Sequence, residues 1–308
     1  MKDIIVIVGP TGVGKTKLSV ELAKNLNAEI INADSMQVYK DLNIGTAKIK
    51  EEEKEGITHH LFDIKDVNEM YTIYDYQKDA RNKIKEILNM GKKVIFVGGS
   101  GLYIKAALYD YKLNDEIKKN EYDNLSNEEI KARIEKVTTC DIHINNRKRL
   151  VRMLQKIDNG DIINEYTNND KIYDFITIGL TTSRDNLYNI INTRVDKMFD
   201  DGLLNEVENL YKQNIRSKAI MTGIGYKELY DYFDKKVTLD DAISNIKRNS
   251  RRYAKRQYTF FNNQMDVLWF NTNYENFNQT VCEVLEKIKN SWFFLFYLII
   301  LTILIGGN

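Results

Sequence analysis

The sequence predicts an α/β fold, a parallel sheet with helices on both faces and a small helical subdomain inserted into it. Three observations carry this expectation. A glycine loop stands between an apolar strand and an amphipathic helix at the start of the chain. Two more apolar strands alternate with helical segments up to residue 113. The texture then turns short, polar and charge-mixed until a further strand near residue 175 restores the sheet. Strands that alternate with helices need crossover connections, which make neighbouring strands parallel and cover both faces.

The elements follow in order. "IIVIV" (Ile4 to Val8) reads as a buried strand, and "KTKLSVELAKNL" carries Leu18, Leu22 and Leu26 at helical spacing. Between them "GPTGVGKT" fits G-x-x-x-x-G-K-[ST], in which glycines let backbone N–H groups close around phosphate oxygens, a lysine adds a point charge and a Ser/Thr hydroxyl ligates Mg²⁺. The fold expected is therefore P-loop NTPase-like. Gly9, Pro10, Thr11, Gly12, Val13, Gly14, Lys15 and Thr16 are the candidate phosphate-binding residues, with the helix N-terminus aimed at the anion. "AEIINAD" (Ala28 to Asp34) reads as a strand ending in a carboxylate. "YDYQKDARNKIKEILNMG" reads as a helix with Tyr76, Ala80, Ile84, Ile87 and Leu88 inward and Gly91 as its stop. "KKVIFVGGSGLY" supplies a third strand, Val94 to Val97.

In "LSNEEIKARIEKV", Ser126 and Glu129 occupy capping-box positions, and Ile130, Ile134 and Val137 form an apolar stripe. "YDFITIGLTTS" then gives a strand, Phe175 to Leu180, after which the chain is expected to finish in helices. The division expected is a core of residues 1–113, a helical insert of 114–171, core completion over 172–290 and a hydrophobic tail of 291–308.

Composition sets outer bounds. With 308 residues, 43% hydrophobic content and a net charge of +1, the chain can bury a large core but has no global basicity, so any nucleic-acid surface must be local. Cys140 and Cys282 offer neither a disulfide framework nor a zinc spacing. Free thiols and a chain that begins directly with a core strand make a cytoplasmic location the expectation. The tail "WFFLFYLIILTILI", residues 292–305, spans about 21 Å as a helix against about 30 Å of hydrocarbon in a bilayer. That length favours a buried or interfacial segment, with membrane association through 292–305 as the alternative.

The chemistry narrows further. No carboxylate follows the third strand, and neither D-x-x-G nor N-K-x-D occurs, which disfavours a nucleotide-driven motor or switch. Asp34 remains, at the carboxyl end of a strand adjacent to the loop, where ligands of open parallel sheets bind. It can act as a general base or merely cap the turn that follows. His59 and His60 are adjacent and diverge on either kind of element, so no metal site is expected there and the pair reads as structural support. The aromatics of "YTFFNNQ" read as core packing, with stacking on a flipped base as the alternative.

"ADSMQVYKDLNIGTAK" (Ala33 to Lys48), "HHLFD" (His59 to Asp63), "VGGSGLYIKA" (Val97 to Ala106), "GIGYKEL" (Gly223 to Leu229) and "RRYAKRQYTFFNNQ" (Arg251 to Gln264) together resemble the tRNA dimethylallyltransferase family. These are the isopentenyl-tRNA transferases, which modify the adenosine just 3′ of the anticodon. The similarity runs from residue 1 to about 288. The resemblance implies that the loop holds the diphosphate of dimethylallyl diphosphate, with Mg²⁺ on Thr16. It implies that Lys15 neutralises the departing diphosphate, that Asp34 takes the N6 proton, and that Ser100, where the family usually has threonine, bonds near the attacking amine. Arg194, in "NTRVDKMFDDGL", matches the family arginine that approaches the diphosphate; an exposed helix arginine paired with a nearby acid is the plain alternative.

By the same resemblance, Asp34, Ser35, Met36 and Gln37 contact tRNA. So do Lys148, Arg149, Leu150, Val151 and Arg152 of "RKRLVR", and with a phosphate-rich substrate implied the basic run "KRNSRRYAKR" adds Arg251 and Arg252. On a helix, Arg248, Arg251, Arg252, Lys255 and Arg256 share one face, otherwise read as a solvated stripe. The partners implied are the tRNA anticodon stem-loop and dimethylallyl diphosphate, with no obligate protein partner. Two departures, "HINN" (His143 to Asn146) and "TFFNNQ" without the usual tryptophan and arginine, bear on tRNA grip rather than on the reaction. Two other readings stay open: a small-molecule or nucleoside kinase using the loop for ATP, and a non-catalytic RNA-binding protein.

Overall fold

The computed structural model describes residues 2–111, 122–160 and 170–290. The described residues form two compact units, one of those up to 107 together with those from 173 onward and one of those between 108 and 172. The boundary expected at 113 and the tail of 291–308 lie outside the described residues.

The larger unit is a six-stranded parallel sheet of β1 (Ile4–Val8), β2 (Ala28–Asn32), β3 (His59–His60), β4 (Lys93–Val97), β5 (Phe175–Thr181) and β6 (Leu268–Asn271), in the order β3-β2-β4-β1-β5-β6. Every residue of β1 and β2 is buried. Successive side chains point to opposite faces, so such strands need cover on both. Ile5, Ile7, Ile30, Ile95 and Ile178 share one cluster with Leu18 and Leu22 of α1 (Lys15–Leu26) and with Val281, Val284 and Ile288 of the helical residues 277–290. Helix α2 (Ile73–Asn89) also contacts β2 and β4, and its Tyr76 hydroxyl donates to the Asn32 carbonyl at 2.8 Å. A reciprocal Thr72–Asp75 capping box starts this helix, and Gly91 in the left-handed region follows its end.

After α3 (Gly101–Leu108) comes the smaller unit, which contains α4 (Asn127–Glu135) and α5 (Arg147–Asp158). The Ser126–Glu129 capping box forms as expected, and Ile130, Ile134, Leu150 and Leu154 make the core. Val137 does not join it: the helix ends at Glu135, and Val137 is 63% exposed. The larger unit resumes with β5, α6 (Arg184–Asp200), α7 (Leu203–Lys212), α8 (Lys218–Thr222), α9 (Tyr226–Phe233) and α10 (Leu239–Gln264).

Two expectations need correction. Strand β2 ends at Asn32, so Asp34 sits in the turn beyond it, and β4 separates β2 from the loop strand β1. The chain does not finish in helices alone, because β6 pairs with β5 between α10 and the last helical stretch. His59–His60 forms a two-residue edge strand, too short for its alternation to register. Among the described residues no helix is long and apolar enough to cross a membrane.

Candidate active site

The phosphate loop turns on Gly14, which caps α1 at φ 90°, a conformation that side chains rarely adopt. Thr11, Gly12, Gly14, Lys15 and Thr16 line a cavity of about 840 Å³ at the carboxyl ends of the strands. The other loop residues lie behind it. Val13 is buried in the core, and the Pro10 carbonyl accepts from Lys15 Nζ at 2.6 Å. Burial, followed by the neighbouring Arg194 charge, brings the Lys15 ammonium down to about 7, with Asp34 pulling the other way.

Asp34 lines the same cavity. Its Oδ1 accepts from the Met36 N–H at 2.9 Å, so the carboxylate does brace the turn that follows. Burial raises its pKa above the usual carboxylate value, opposed by that N–H, by Lys15 and by Arg194. Half-buried and facing two cations, it is both a turn brace and a base candidate. Ser35, Met36 and Gln37 line the cavity beside it. Ser100 Oγ accepts from the Ser35 N–H at 3.1 Å, which ties the β4 end to this turn.

Arg194 is not a solvated helix arginine. Its Nη1 donates to Thr11 Oγ1 at 2.9 Å, and burial lowers its pKa while Asp34 and Glu53 oppose the shift. Lys15, Asp34 and Arg194, distant in sequence, thus face one cavity.

Several lining residues escape a reading by motif. His59 belongs to the cavity rather than to structural support alone: Nδ1–H donates to the Ile57 carbonyl at 2.8 Å, which leaves Nε2 an acceptor with no partner. His60 is the supporting member, with Nε2 2.6 Å from the buried Glu29 carboxylate. Gln257 donates to the Gly99 carbonyl at 3.1 Å, while its buried Oε1 has no partner. Among the described residues, His59 Nε2 and Gln257 Oε1 are the buried side-chain atoms without a partner, and both residues line this cavity. Unpaired buried polar atoms are costly, and two at one cavity mark a place for a polar ligand. Tyr253, one turn before Gln257 on α10, has its hydroxyl pushed up to about 12 by burial and by the Asp34 charge, so it stays a neutral phenol. The available signal was polar residues on the buried stripe of α10, where Gln257 stands beside Ala254 and Phe261.

The basic residues divide by environment. On α10, Arg252, Lys255 and Arg256 are exposed, but Arg251 donates to Asn192 Oδ1 at 2.6 Å and lies over the Tyr188 ring. On α5, Lys148, Arg149 and Arg152 are exposed, whereas Leu150 is fully buried in the small unit's core and Val151 half-buried against it. Leu150 therefore supports the helix and does not offer its side chain to RNA.

The family model described as IPP transferase matches residues 37–264, a span that takes in the turn after Asp34, His59, Ser100, Arg194 and the whole of α10. The chain belongs to the IPP transferase family. It is 46% identical over 305 residues to the tRNA dimethylallyltransferase of Anoxybacillus flavithermus, covering 95% of this chain and 98% of that protein. The Bacillus subtilis protein of the same name is 47% identical over 288 residues, covering 87% and 90%. Among solved IPP transferases, the full-length tRNA isopentenylpyrophosphate transferase of Bacillus halodurans superposes with a TM-score of 0.75 at 42% identity, covering 94% of this chain and 96% of that one. A eukaryotic dimethylallyltransferase, whose crystallographic snapshots capture it acting on tRNA, gives a TM-score of 0.75 at 31% identity, covering 87% and 74%. The P-loop NTPase-like architecture is thus that of the IPP transferases.

Proposed function

We propose that this chain is a tRNA dimethylallyltransferase. It moves the dimethylallyl group of dimethylallyl diphosphate to N6 of the adenosine immediately 3′ of the anticodon, position 37, in tRNA. The observation that carries the reading is the composition of one cavity: a phosphate loop with two half-buried cations, Lys15 and Arg194, stands beside an apolar wall that includes Ile190, Ile191 and Val195, and Asp34 faces both. A diphosphate fits the first, a five-carbon chain the second, and an amine awaiting deprotonation the third.

In the reaction the allylic C–O bond breaks as the N6–C bond forms, and the N6 proton passes to Asp34. Adenine N6 is a poor nucleophile because its lone pair is delocalised into the ring, so the leaving group must be strongly stabilised. The loop N–H groups, Lys15 and Arg194 supply that stabilisation, and Thr11, held by Arg194, keeps the guanidinium against the loop. Lys15, whose ammonium burial brings down to about 7, would be held fully charged beside a diphosphate. Ser100 and Tyr253 position the amine's surroundings, and the raised pKa of Asp34 brings it nearer the range of a useful base.

Magnesium fits this site in one manner. The described residues hold no group of three His, Cys, Asp or Glu side chains suited to a metal, while the exposed Thr16 hydroxyl faces the cavity beside Lys15. Mg²⁺ of that kind is held mainly by substrate phosphate oxygens and water, with Thr16 as the protein ligand. Bound there, it would neutralise charge on the diphosphate. For the tRNA, the exposed Arg252, Lys148, Arg149 and Arg152 are the phosphate-contacting candidates, and Ser35 to Gln37 the contacts at the reacting base. The test is diphosphate release. It should require tRNA and dimethylallyl diphosphate together; ADP formed from ATP would favour the kinase reading, and tRNA binding without turnover the non-catalytic one.

A further inference from the structure

We propose that Glu206 is a positioning residue for the transfer reaction, its carboxylate seating one wall of the active cavity from a helix outside it. The half-buried Glu206 stands on α7 and receives four donors from two distant segments. Oε2 accepts from the backbone N–H of Asn43 at 3.1 Å and of Ile44 at 2.7 Å; Oε1 accepts from the Gly45 N–H at 3.1 Å and from the Tyr226 hydroxyl at 2.7 Å. Three consecutive backbone donors converging on one carboxylate make an anion nest, and charge-assisted bonds of this kind are stronger than neutral ones.

Both segments reach the cavity. Gly45, Thr46 and Ala47 line it, and so does Tyr226. Gly45 lies flat on the Tyr226 ring: a Cβ there would meet ring atoms and the hydroxyl at 2.7 Å, so the approach needs glycine. The segment is also braced from within. Gln37 Nε2 donates to the Thr46 carbonyl at 3.0 Å, and Lys48 Nζ donates to the Tyr39 carbonyl at 2.8 Å and to Asp63 Oδ1 at 2.5 Å. Residues 35–48 are thus tied into one piece that carries the turn held by Asp34 at one end and the Gly45 wall at the other. Glu206 fixes that piece, and with it the aromatic wall, to α7. The carboxylate touches neither reacting group, so its effect passes through geometry.

The kinetic part of this proposal rests on the transferase reading; the structural part does not. The experiment compares the full chain with Glu206→Gln, Glu206→Asp and a control, Asp234→Asn, which removes the charge from a second tie to α7, where Asp234 Oδ1 accepts from Arg216 Nη2 at 2.7 Å and from the Tyr211 hydroxyl at 2.8 Å. Backbone hydrogen exchange over residues 43–45 is followed together with kcat and KM for dimethylallyl diphosphate. Glu206→Gln should speed exchange at 43–45 and lower kcat/KM, each by about tenfold or more. Glu206→Asp, whose carboxylate is one methylene short, should shift both in the same direction. Asp234→Asn should leave both within about twofold, even where its melting temperature falls as far. If Glu206→Gln does not fold, the aspartate variant carries the comparison. Unchanged exchange at 43–45, kcat/KM within about threefold of wild type, or an equal loss in Asp234→Asn would each overturn the proposal. A wild-type chain without transferase activity would instead defeat the functional reading, and the exchange measurement would still decide whether Glu206 seats the wall.

Discussion

Arg194 on α6 and Thr11 in the phosphate loop are joined by a 2.9 Å hydrogen bond across 183 residues. The bond holds a guanidinium against the phosphate loop, the site proposed for the diphosphate. Arg194→Lys keeps the charge but loses the planar fork, so it should lower kcat/KM on the order of 10- to 100-fold, mainly through donor affinity. Isothermal titration with the diphosphate donor checks this. Donor affinity unchanged in Arg194→Ala would return the residue to a structural role.

Asparagine separates the turn brace that Asp34 forms with the Met36 N–H from the base role proposed for it. The amide can still accept from the Met36 N–H, so the turn survives, but it cannot take a proton; turnover should fall by roughly 10² to 10⁴ while donor and tRNA still bind. The stability sign is opposite to that of a lost ion pair. Because the folded pKa of Asp34 is raised, this group favours the fold most below its ordinary value of 3.8, and the contribution is lost as pH rises through the raised pKa. Asp34→Asn should therefore melt no lower than wild type at neutral pH. A slow variant with a sharply reduced Tm would mean that the carboxylate is chiefly structural.

Lys15 gives a pH signature in binding. Burial brings its ammonium down to about 7, and a bound diphosphate would hold the proton more tightly. Donor binding should thus take up protons above pH 7, and affinity should weaken as pH rises past that point. Calorimetry in buffers of different ionisation enthalpy measures the uptake. No uptake between pH 7 and 9 would place the lysine's charge elsewhere.

The two neighbouring arginines of α10 should part company. Arg252 is exposed, so Arg252→Ala should weaken tRNA binding and shallow its salt dependence by roughly 0.7 to 0.9 log units. Arg251 is engaged with Asn192 and Tyr188, so Arg251→Ala should lower Tm as well. Equal salt slopes and equal stabilities in the two variants would contradict this division.

What was legible in the sequence was local. The phosphate loop announces itself because strand, glycines, lysine and helix are contiguous, and the Ser126–Glu129 box because capping needs only four residues. Arg194 was placed by family resemblance, since nothing near it in sequence points to Thr11. The pairing of Gln257 with Gly99 spans 158 residues, and that of Glu206 with Asn43 spans 163; no periodicity encodes such contacts. The place of His59 on the cavity, beyond its support of the Ile57 carbonyl, was not legible because adjacency argues against a metal but says nothing about which ring faces a cavity. The strands β3 and β6 were missed because two and four residues are too few for alternation to show.

The most direct measurement is mass spectrometry of nucleosides from unmodified tRNA incubated with this protein, Mg²⁺ and dimethylallyl diphosphate. N6-(dimethylallyl)adenosine should appear in the anticodon-loop fragment, in step with released diphosphate, and should be nearly absent with Asp34→Asn. Unaltered adenosine under those conditions, with the folded protein binding both substrates, would contradict the transferase assignment.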